Sequence, residues 1–360
     1  MIFLCSGNCF TAWQKENLLL AYICWQEQFK SFKELKIYKM HISFIIPVYN
    51  VEKYIEKAIM SVVNNHWGKY EFEIVIIDDE SPDNSVEVVN NIKIQNSNSN
   101  INIISQKNKG LGGARNTGIA NAKGDYLFFL DSDDYILPDI FPKLLDQAYA
   151  DNLDVLEFAA ERVDENYNKI DTIFQNNTNQ KVLSGEEYVK DIDFANSACN
   201  KLYKRDFLIS QNIIFLEKVY IEDAPFNVEV FLEAQKVSAC ELVAAAFLQN
   251  TTSITRATRS GKYLEKFIND SIKVTGRINE LSNQFSNGKS KNKIRQKTAY
   301  FLAGIFRMIF LNREITSDQK RIFVKNLKSF NLLPFYQNSG SFPRNLILYF
   351  FNFLNFIRII

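Results

Sequence analysis

One stretch of the chain reads Gly124-Asp125-Tyr126-Leu127-Phe128-Phe129-Leu130-Asp131-Ser132-Asp133-Asp134-Tyr135. Five apolar or aromatic residues follow its turn residue and first acid, and three carboxylates then fall within four positions. An apolar run of this kind between turn signals is typical of a strand buried on both faces. The carboxylates are therefore predicted to lie just past the strand end, at the edge where open parallel sheets bind ligands. This stretch alone leaves open whether the acids hold a metal, a substrate or only a turn.

The composition excludes several kinds of protein. Apolar residues make up 46% of the 360 residues, enough for a sizeable core and for two or more structural units. A net charge of +1 gives no reason to expect a nucleic-acid partner. The five cysteines contain no Cys-x-x-Cys pair, which argues for a reducing compartment and against a disulfide framework or a zinc site. With only His41 and His66 in the chain, a Ser-His-Asp triad and a His-Glu-x-x-His metal site are excluded.

Strands alternate with helices from His41 onward. The predicted strands cover residues 42–48, 72–77, 101–105 and 124–133, with helices between them. This alternation predicts a parallel sheet with right-handed crossovers. Asn50 is expected to cap the first helix, Ser81-Pro82 to begin the second, and Asp134 to cap the helix after the acidic stretch.

Asp131 and Asp133 are two carboxylates at positions i and i+2. They suit Mg²⁺ or Mn²⁺ where the metal is shared with a substrate phosphate, and a capped turn is the simpler alternative. An EF-hand loop is excluded, because Pro142 stands where a bidentate Glu is needed. A second acidic strand end, Asp78-Asp79, is predicted to lie on the same edge of the sheet, where one acid could accept hydrogen bonds from a ribose or base.

A glycine-rich turn, residues 109–116, supplies the opposite charge. Its glycines let the backbone approach a ligand, and Arg115 can pair with a diphosphate. Arg115 also stands where a dinucleotide-binding turn needs its third glycine, and no phosphate-binding P-loop sequence is present. Further along, Glu222-Asp223 heads a predicted helix, either as charges favoured by the helix dipole or as a general base.

Together these motifs resemble family 2 of the glycosyltransferases, which have the GT-A fold. The resemblance covers roughly residues 41–255, and four blocks in order make it highly specific. The blocks that carry it are Ser43-Phe44-Ile45-Ile46-Pro47-Val48-Tyr49-Asn50, Ile76-Ile77-Asp78-Asp79-Glu80-Ser81, Asn108-Lys109-Gly110-Leu111-Gly112-Gly113-Ala114-Arg115-Asn116 and Leu130-Asp131-Ser132-Asp133-Asp134, followed by Cys199-Asn200-Lys201-Leu202-Tyr203, Glu222-Asp223 and Ser253-Ile254-Thr255-Arg256.

The resemblance implies a role for each matched residue. Pro47, Tyr49 and Asp79 would hold the uracil and ribose of a nucleotide-sugar, helped by Glu52. Arg115 would face the nucleotide or diphosphate. Asp131 and Asp133 would form the Asp-x-Asp metal site for Mn²⁺ or Mg²⁺, with Asp131 also at the donor, and Asp223 would be the catalytic base.

The implied function is inverting transfer of a hexose or N-acetylhexosamine, most simply from a UDP-sugar, to a hydroxyl of a glycan or lipid-linked acceptor in surface polysaccharide synthesis. The alternatives are a sugar nucleotidyltransferase, which usually has a Gly-rich loop after the first strand, and a non-catalytic nucleotide-sugar-binding protein. One departure concerns the segment before Ser253, where an aromatic pair followed by Arg is usual and Ala246, Phe247 and Leu248 stand here. Arg256 or Arg259 is expected to supply the missing positive charge.

The resemblance also divides the chain. Residues 1–39 are predicted to be either an accessory helix or a start-site extension outside the ordered core. Residues 40–257 form the GT-A domain, a Rossmann-like, mostly parallel sheet flanked by helices, with a nucleotide-sugar half (40–135) and an acceptor half (136–257). Residues 258–360 form a helical extension. Its apolar end, residues 346–360, is too short to span a bilayer. The protein is expected to be cytoplasmic, and this end of the chain is expected to contact the inner face of the plasma membrane. The alternative is a helix packed on the core or against a dimer partner.

Overall fold

The computed structural model describes residues 40–250 and 260–356, with side chains described as far as Asn352 in the last helix. These residues all belong to one unit of the chain, Met40–Ile360. The predictions for residues 1–39, for Ser253 to Arg256 and for Arg259 concern positions outside the described residues. The boundary expected after residue 257 also falls there, so the division into two regions stays a prediction.

The first half of the sheet is parallel, as the alternation of strands and helices predicts. This half consists of β1 (Ile42–Val48), β2 (Phe72–Asp78), β3 (Ile101–Ser105) and β4 (Tyr126–Phe129). Strands β1 and β4 are buried along their whole length, which agrees with their uninterrupted apolar runs. Val48 of β1 pairs with Asp78 of β2, and Ile45 pairs with Phe129 of β4, so the carboxyl ends of these strands meet at one edge. In spatial order the strands are β3 (Ile101–Ser105), β2 (Phe72–Asp78), β1 (Ile42–Val48) and β4 (Tyr126–Phe129).

The second half of the sheet mixes directions. Strand β8 (Lys201–Lys204) runs antiparallel to β4, and β6 (Val155–Val163) antiparallel to β8. Strand β9 (Val237–Leu248) is one continuous strand, runs parallel to β6 and shifts its register against β6 twice. Strand β5 (Tyr135–Ile136) pairs with β9, and β7 (Lys169–Ile173) pairs with β6 in an antiparallel hairpin. The long ladders are parallel, as expected.

Helices cover the sheet between these strands. They begin and end as follows: α1 Ile55–Val63, α2 Ser85–Gln95, α3 Gly110–Asn121, α4 Phe141–Ala150, α5 Gly185–Asp191, α6 Arg205–Ser210 and α7 Asp223–Glu233. Helix α3 starts at Gly110, within the stretch expected to be a turn. A Cβ at Gly112 would lie 2.3 Å from the Leu216 carbonyl oxygen, and one at Gly118 would lie 2.2 Å from Ile45 Cγ2. These glycines therefore let α3 pack closely against Leu216 and against Ile45 of β1, whereas the sequence predicted that they let the backbone approach a ligand.

All three predicted helix starts are wrong in detail. Helix α1 begins at Ile55, and Asn50 has a positive φ of 56° with its amide donating to Ser81 Oγ. Helix α2 begins at Ser85, three residues after Pro82. Asp134 accepts a hydrogen bond from the amide of Leu248 in β9, 2.8 Å away, instead of capping α4. Asn50 and Asp134 therefore bond to segments that are distant in the sequence, whereas the sequence signals had assigned them to the next helix.

Four helices follow the sheet and share an apolar core of their own. They are α8 (Gly261–Ser282), α9 (Gly288–Leu311), α10 (Ser317–Ser329) and α11 (Phe342–Phe356). Within α11, Leu348 and Phe351 are buried, and the Phe351 ring packs on Phe306 and Phe310 of α9 with centroids 4.2 and 4.4 Å apart. One face of the apolar tail thus packs on the protein. Across residues 40–250 and 260–356, no helix combines the length and the apolarity that crossing a bilayer would take.

Candidate active site

The predicted nucleotide residues lie at the carboxyl edge of β1 and β2. Pro47 is buried in β1 opposite Ile77, and the amide of Asp79 donates to the carbonyl of Val48 at 3.0 Å. Tyr49, the next residue, is 52% exposed. The fold therefore brings Pro47, Tyr49 and Asp79 together at the edge, with an aromatic ring open to a ligand.

Asp79 is almost fully buried and fixes the loop before α3. Its Oδ1 accepts from the amide of Lys109 at 2.8 Å and from Nε2 of Gln106 at 2.7 Å. Glu52 is directed to α2: its Oε2 accepts from the amide of Asn84 at 3.1 Å. Its observed contact is at the start of that helix, and its part in nucleotide binding stays a prediction.

Arg115 joins Asp131 to the adjacent acids Glu222 and Asp223, which lie far from it in the sequence. The side chain comes from α3 and is 1% exposed. Its Nη1 donates to Glu222 Oε1 at 2.8 Å and to Asp223 Oδ1 at 2.6 Å, and its Nη2 donates to Asp131 Oδ1 at 2.8 Å. Arg115 is thus the physical link between the acid after β4 and the acid pair that begins α7.

The surroundings of this cluster shift its proton affinities. Burial raises the pKa of Glu222 to about 7; the nearby Asp223 charge also raises it, while Arg115 opposes both. Burial likewise raises the pKa of Asp223, again against Arg115. A carboxylate with a raised pKa is a stronger base, so Asp223, whose side chain is 22% exposed, can take a proton from a bound hydroxyl.

Sequence reasoning assigned Arg115 to the nucleotide or diphosphate. In this structure both terminal nitrogens of its guanidinium are bonded to carboxylates, and the group lies against the Phe215 ring, 5.3 Å from the centroid. A direct contact with the diphosphate stays a prediction. The role of Glu222 as a second acid on Arg115 was missed, although its position beside Asp223 is the signal that could have found it.

The acidic stretch after β4 lies beside the end of β9. Nδ2 of Asn250 donates to Asp133 Oδ2 at 3.2 Å, and Asp134 binds the amide of Leu248. Asp131 and Asp133 offer the hard oxygen ligands that Mg²⁺ and Mn²⁺ prefer. Among the described residues no three His, Cys, Asp or Glu side chains are grouped to hold a metal, and a metal at Asp131 and Asp133 stays a prediction.

Comparison with known proteins agrees with this arrangement. Residues 43–210 match the family described as glycosyl transferase family 2. The uncharacterized glycosyltransferase EpsJ of Bacillus subtilis is 30% identical over 223 residues, which are 59% of this chain and 62% of EpsJ. Poly(ribitol-phosphate) beta-N-acetylglucosaminyltransferase TarS of Staphylococcus aureus is 29% identical over 210 residues, 55% of this chain and 34% of TarS. The chain therefore aligns with less than two thirds of the length of either relative.

The fold of the chain is also similar to that of TarS. The crystal structure of S. aureus TarS 1–349 in complex with UDP-GlcNAc superposes with a TM-score of 0.63 at 23% identity, over 81% of this chain and 80% of that one. The mixed sheet with its flanking helices is thus the GT-A fold, as predicted. The match to glycosyl transferase family 2 covers residues 43–210, a little under half of the 360-residue chain.

Proposed function

We propose that this protein transfers a hexose or N-acetylhexosamine from a UDP-sugar to a hydroxyl of a glycan or lipid-linked acceptor, with inversion at the anomeric carbon. The observation that carries the proposal is the buried guanidinium of Arg115, which holds Asp131 beside Asp223 at the sheet edge. A donor-side acid and a partly buried base, joined by one rigid group, are what a group transfer between two substrates requires. TarS, whose name gives an N-acetylglucosaminyl transfer and whose structure contains UDP-GlcNAc, supports a UDP-sugar as donor.

In the proposed reaction, the acceptor oxygen attacks the anomeric carbon from the face opposite the nucleotide. The new carbon–oxygen bond forms as the bond to the diphosphate breaks, and UDP leaves with the electron pair. Asp223 takes the proton from the acceptor hydroxyl in the same step. The raised pKa of Asp223 favours this transfer, because the base becomes stronger without leaving its bond to Arg115.

Asp131 and Asp133 would hold Mn²⁺ or Mg²⁺ on the donor side. When bound, the metal would neutralise charge that develops on the leaving diphosphate. Arg115 fixes the orientation of Asp131, since its Nη2 bonds one carboxylate oxygen. Asn250 acts on Asp133 in the same way from the end of β9.

The test is a donor screen. Release of UDP or GDP is measured from UDP-GlcNAc, UDP-glucose, UDP-galactose and GDP-mannose with Mn²⁺ or Mg²⁺. We expect one UDP-sugar to be cleaved, and EDTA or Asp131→Ala to lower that rate by at least about tenfold. Asp318→Ala, an exposed acid in α10, is the control and is expected to leave the rate unchanged. Pyrophosphate release from UTP and a sugar 1-phosphate would instead indicate a nucleotidyltransferase. UDP binding without cleavage of any donor, with or without glycan acceptors, would indicate a binding protein.

A second expected result concerns Tyr49. Tyr49→Ala should weaken UDP binding by roughly 1–3 kcal/mol, the range for a base stacked on an aromatic ring. The ring is 52% exposed, so its loss should leave the thermal unfolding temperature unchanged. Calorimetric titration with UDP measures the effect, and Tyr336→Ala, a change at an exposed Tyr in a loop, is the control. Equal UDP affinity in wild type and Tyr49→Ala would remove Tyr49 from the site.

The C-terminal helices support a peripheral membrane contact. The outer face of α11 presents exposed apolar side chains at helical spacing, Phe342, Leu346, Tyr349 and Phe350. Residues 260–356 contain 16 Lys and Arg against 5 Asp and Glu, an excess of 11 positive charges, although the whole chain has a net charge of +1. Apolar side chains within a basic region are the combination that binds the surface of an anionic bilayer.

Vesicle flotation tests this contact. The protein should bind vesicles containing phosphatidylglycerol more strongly than neutral ones. Replacing the four exposed α11 residues by Ser should lower that binding by at least about tenfold, because each residue contributes buried apolar area. Ile94→Ser, a change at an exposed apolar residue of α2, is the control. Equal flotation of the four-residue variant and wild type would show that α11 is not the contact.

A further inference from the structure

A buried ion pair lies behind the proposed base. Glu157 of β6 and Lys201 of β8 are both fully buried, with Nζ 3.9 Å from Oε2. Taking two charges out of water is costly, and apolar residues of similar size are often at least as stable in such places. The pair is therefore weak evidence for stability. Its two side chains instead hold several neighbouring polar groups in place.

Lys201 holds one short segment of backbone. Its Nζ donates to the carbonyl oxygens of Ala195 and Ser197 at 2.9 and 2.8 Å, and to Oδ1 of Asn200 at 2.9 Å. These acceptors use all three hydrogens of the ammonium group. The segment from Ala195 to Ser197 is thus folded around a single cation.

Glu157 holds the same segment through the backbone amide of Ala195. Its Oε1 accepts from the amide of Ala195 at 3.2 Å, and its Oε2 accepts from the hydroxyl of Tyr188 at 3.0 Å. Nδ2 of Asn200 also donates to Oε1, at 3.4 Å. The ion pair therefore fixes both the amide and the carbonyl of Ala195.

Ala198, which follows this segment directly, contacts the proposed base. The amide of Ala198 donates to Oδ2 of Asp223 at 3.0 Å, while Arg115 holds Oδ1. Nδ2 of Asn227, one turn along α7, donates to the carbonyls of both Asn196 and Asp223, at 2.7 and 3.0 Å. Each oxygen of the base has a fixed donor, and one of these donors belongs to the segment that Lys201 shapes.

We propose that Lys201 is a positioning residue for the transfer reaction: with Glu157 it holds residues 195–197 so that the Ala198 amide fixes the second oxygen of Asp223. Arg115 alone leaves the carboxylate free to turn about one bond, and the Ala198 amide removes that freedom. Orientation of a base toward its hydroxyl affects the transition state, whereas nucleotide binding at the ends of β1 and β2 does not depend on it. The inference rests on the proposed function.

The expected result is a loss of turnover without a loss of nucleotide affinity. Lys201→Met keeps the length of the side chain and removes the ammonium. We expect kcat with the preferred UDP-sugar to fall by about 10- to 100-fold, the scale of a displacement near 1 Å, with the donor KM and the Kd for UDP within about twofold of wild type. Burial lowers the pKa of Lys201 to about 8, so the assays are run at pH 7, where the amine is protonated. Lys204→Met, a change on the same strand at a surface lysine bonded to Asn152, is the control.

A second variant separates positioning from stability. Lys201→Met leaves Glu157 buried without its cation, which lowers the unfolding temperature. Lys201→Met/Glu157→Gln removes that charge, and the Gln oxygen still accepts from Ala195 while its amide faces Tyr188. The double variant should recover unfolding temperature but not kcat. Recovery of both would mean that the pair is merely structural, as would full kcat in Lys201→Met.

Absence of transfer by the wild type would overturn the proposed function itself. Faster amide hydrogen exchange over residues 194–200 in Lys201→Met would still report the loss of the positioned segment. Unchanged exchange there would overturn the inference.

Discussion

Asp223→Asn is expected to lower kcat by about 10²- to 10⁴-fold, the contribution of a positioned general base. The Asn side chain keeps the shape and accepts from either Arg115 or the Ala198 amide, but it cannot take a proton. Because Asp131 and Glu222 still surround Arg115, the fold should persist. The measurement is kcat with the preferred UDP-sugar together with calorimetric titration of UDP, whose Kd should stay within about twofold.

Two controls sharpen this result. In Glu222→Gln the amide oxygen can still accept from Arg115 Nη1, so kcat should fall by less than about tenfold, since no proton-accepting group is lost. Asp206→Asn changes an exposed carboxylate in α6 and should have no effect. Retention of more than a tenth of the wild-type kcat by Asp223→Asn would show that another group takes the acceptor proton.

The pH profile should carry the signature of the same base. Burial raises the pKa of Asp223, and only the deprotonated form can accept the proton. Turnover should therefore fall as the pH is lowered through the folded pKa, and this limb should lie above pH 3.8, the ordinary value for Asp. The limb should be absent from the residual activity of Asp223→Asn.

Much of the fold follows from local pattern. The apolar runs of β1, β2 and β4 predict buried strands, and the acids directly after such runs are predicted to lie past the strand ends, which places Asp79 and Asp131 at one edge. The 3.6-residue period of the C-terminal segments similarly predicts α8, α9 and α10. These features depend on neighbours in the sequence, which the sequence displays.

The partners of the polar groups could not be predicted in this way. Arg115 binds acids 107 and 108 residues away, and Asp134 binds an amide 114 residues away. A helix-capping pattern explains an acid at a turn equally well, so local reasoning assigned Asp134 to α4.

Arg115→Met is expected to lower the free energy of unfolding by about 3–5 kcal/mol, the cost of breaking a buried ion pair by removing one partner. The side chain is 1% exposed and compensates three carboxylates, so its loss leaves Glu222 and Asp223 charged within the protein. Chemical denaturation measures the change. Arg277→Met is the matched control: that Arg also joins two acids, but it is partly exposed, and its loss should cost less than about 1 kcal/mol.

The pH dependence of this deficit follows from the same electrostatics. Arg115 lowers the pKa of Glu222 and of Asp223 against burial, so both should rise further in Arg115→Met. A carboxyl whose pKa is higher in the folded than in the unfolded state binds its proton more tightly when folded, and its contribution to stability falls as the pH rises from the unfolded pKa to the folded one. The deficit should therefore be larger at pH 8 than at pH 5, and Arg115→Met/Glu222→Gln should recover part of it at pH 8. A deficit that does not change with pH would mean that Arg115 stabilises the protein through its packing on Phe129 and Phe215, and that the acids are compensated by other groups.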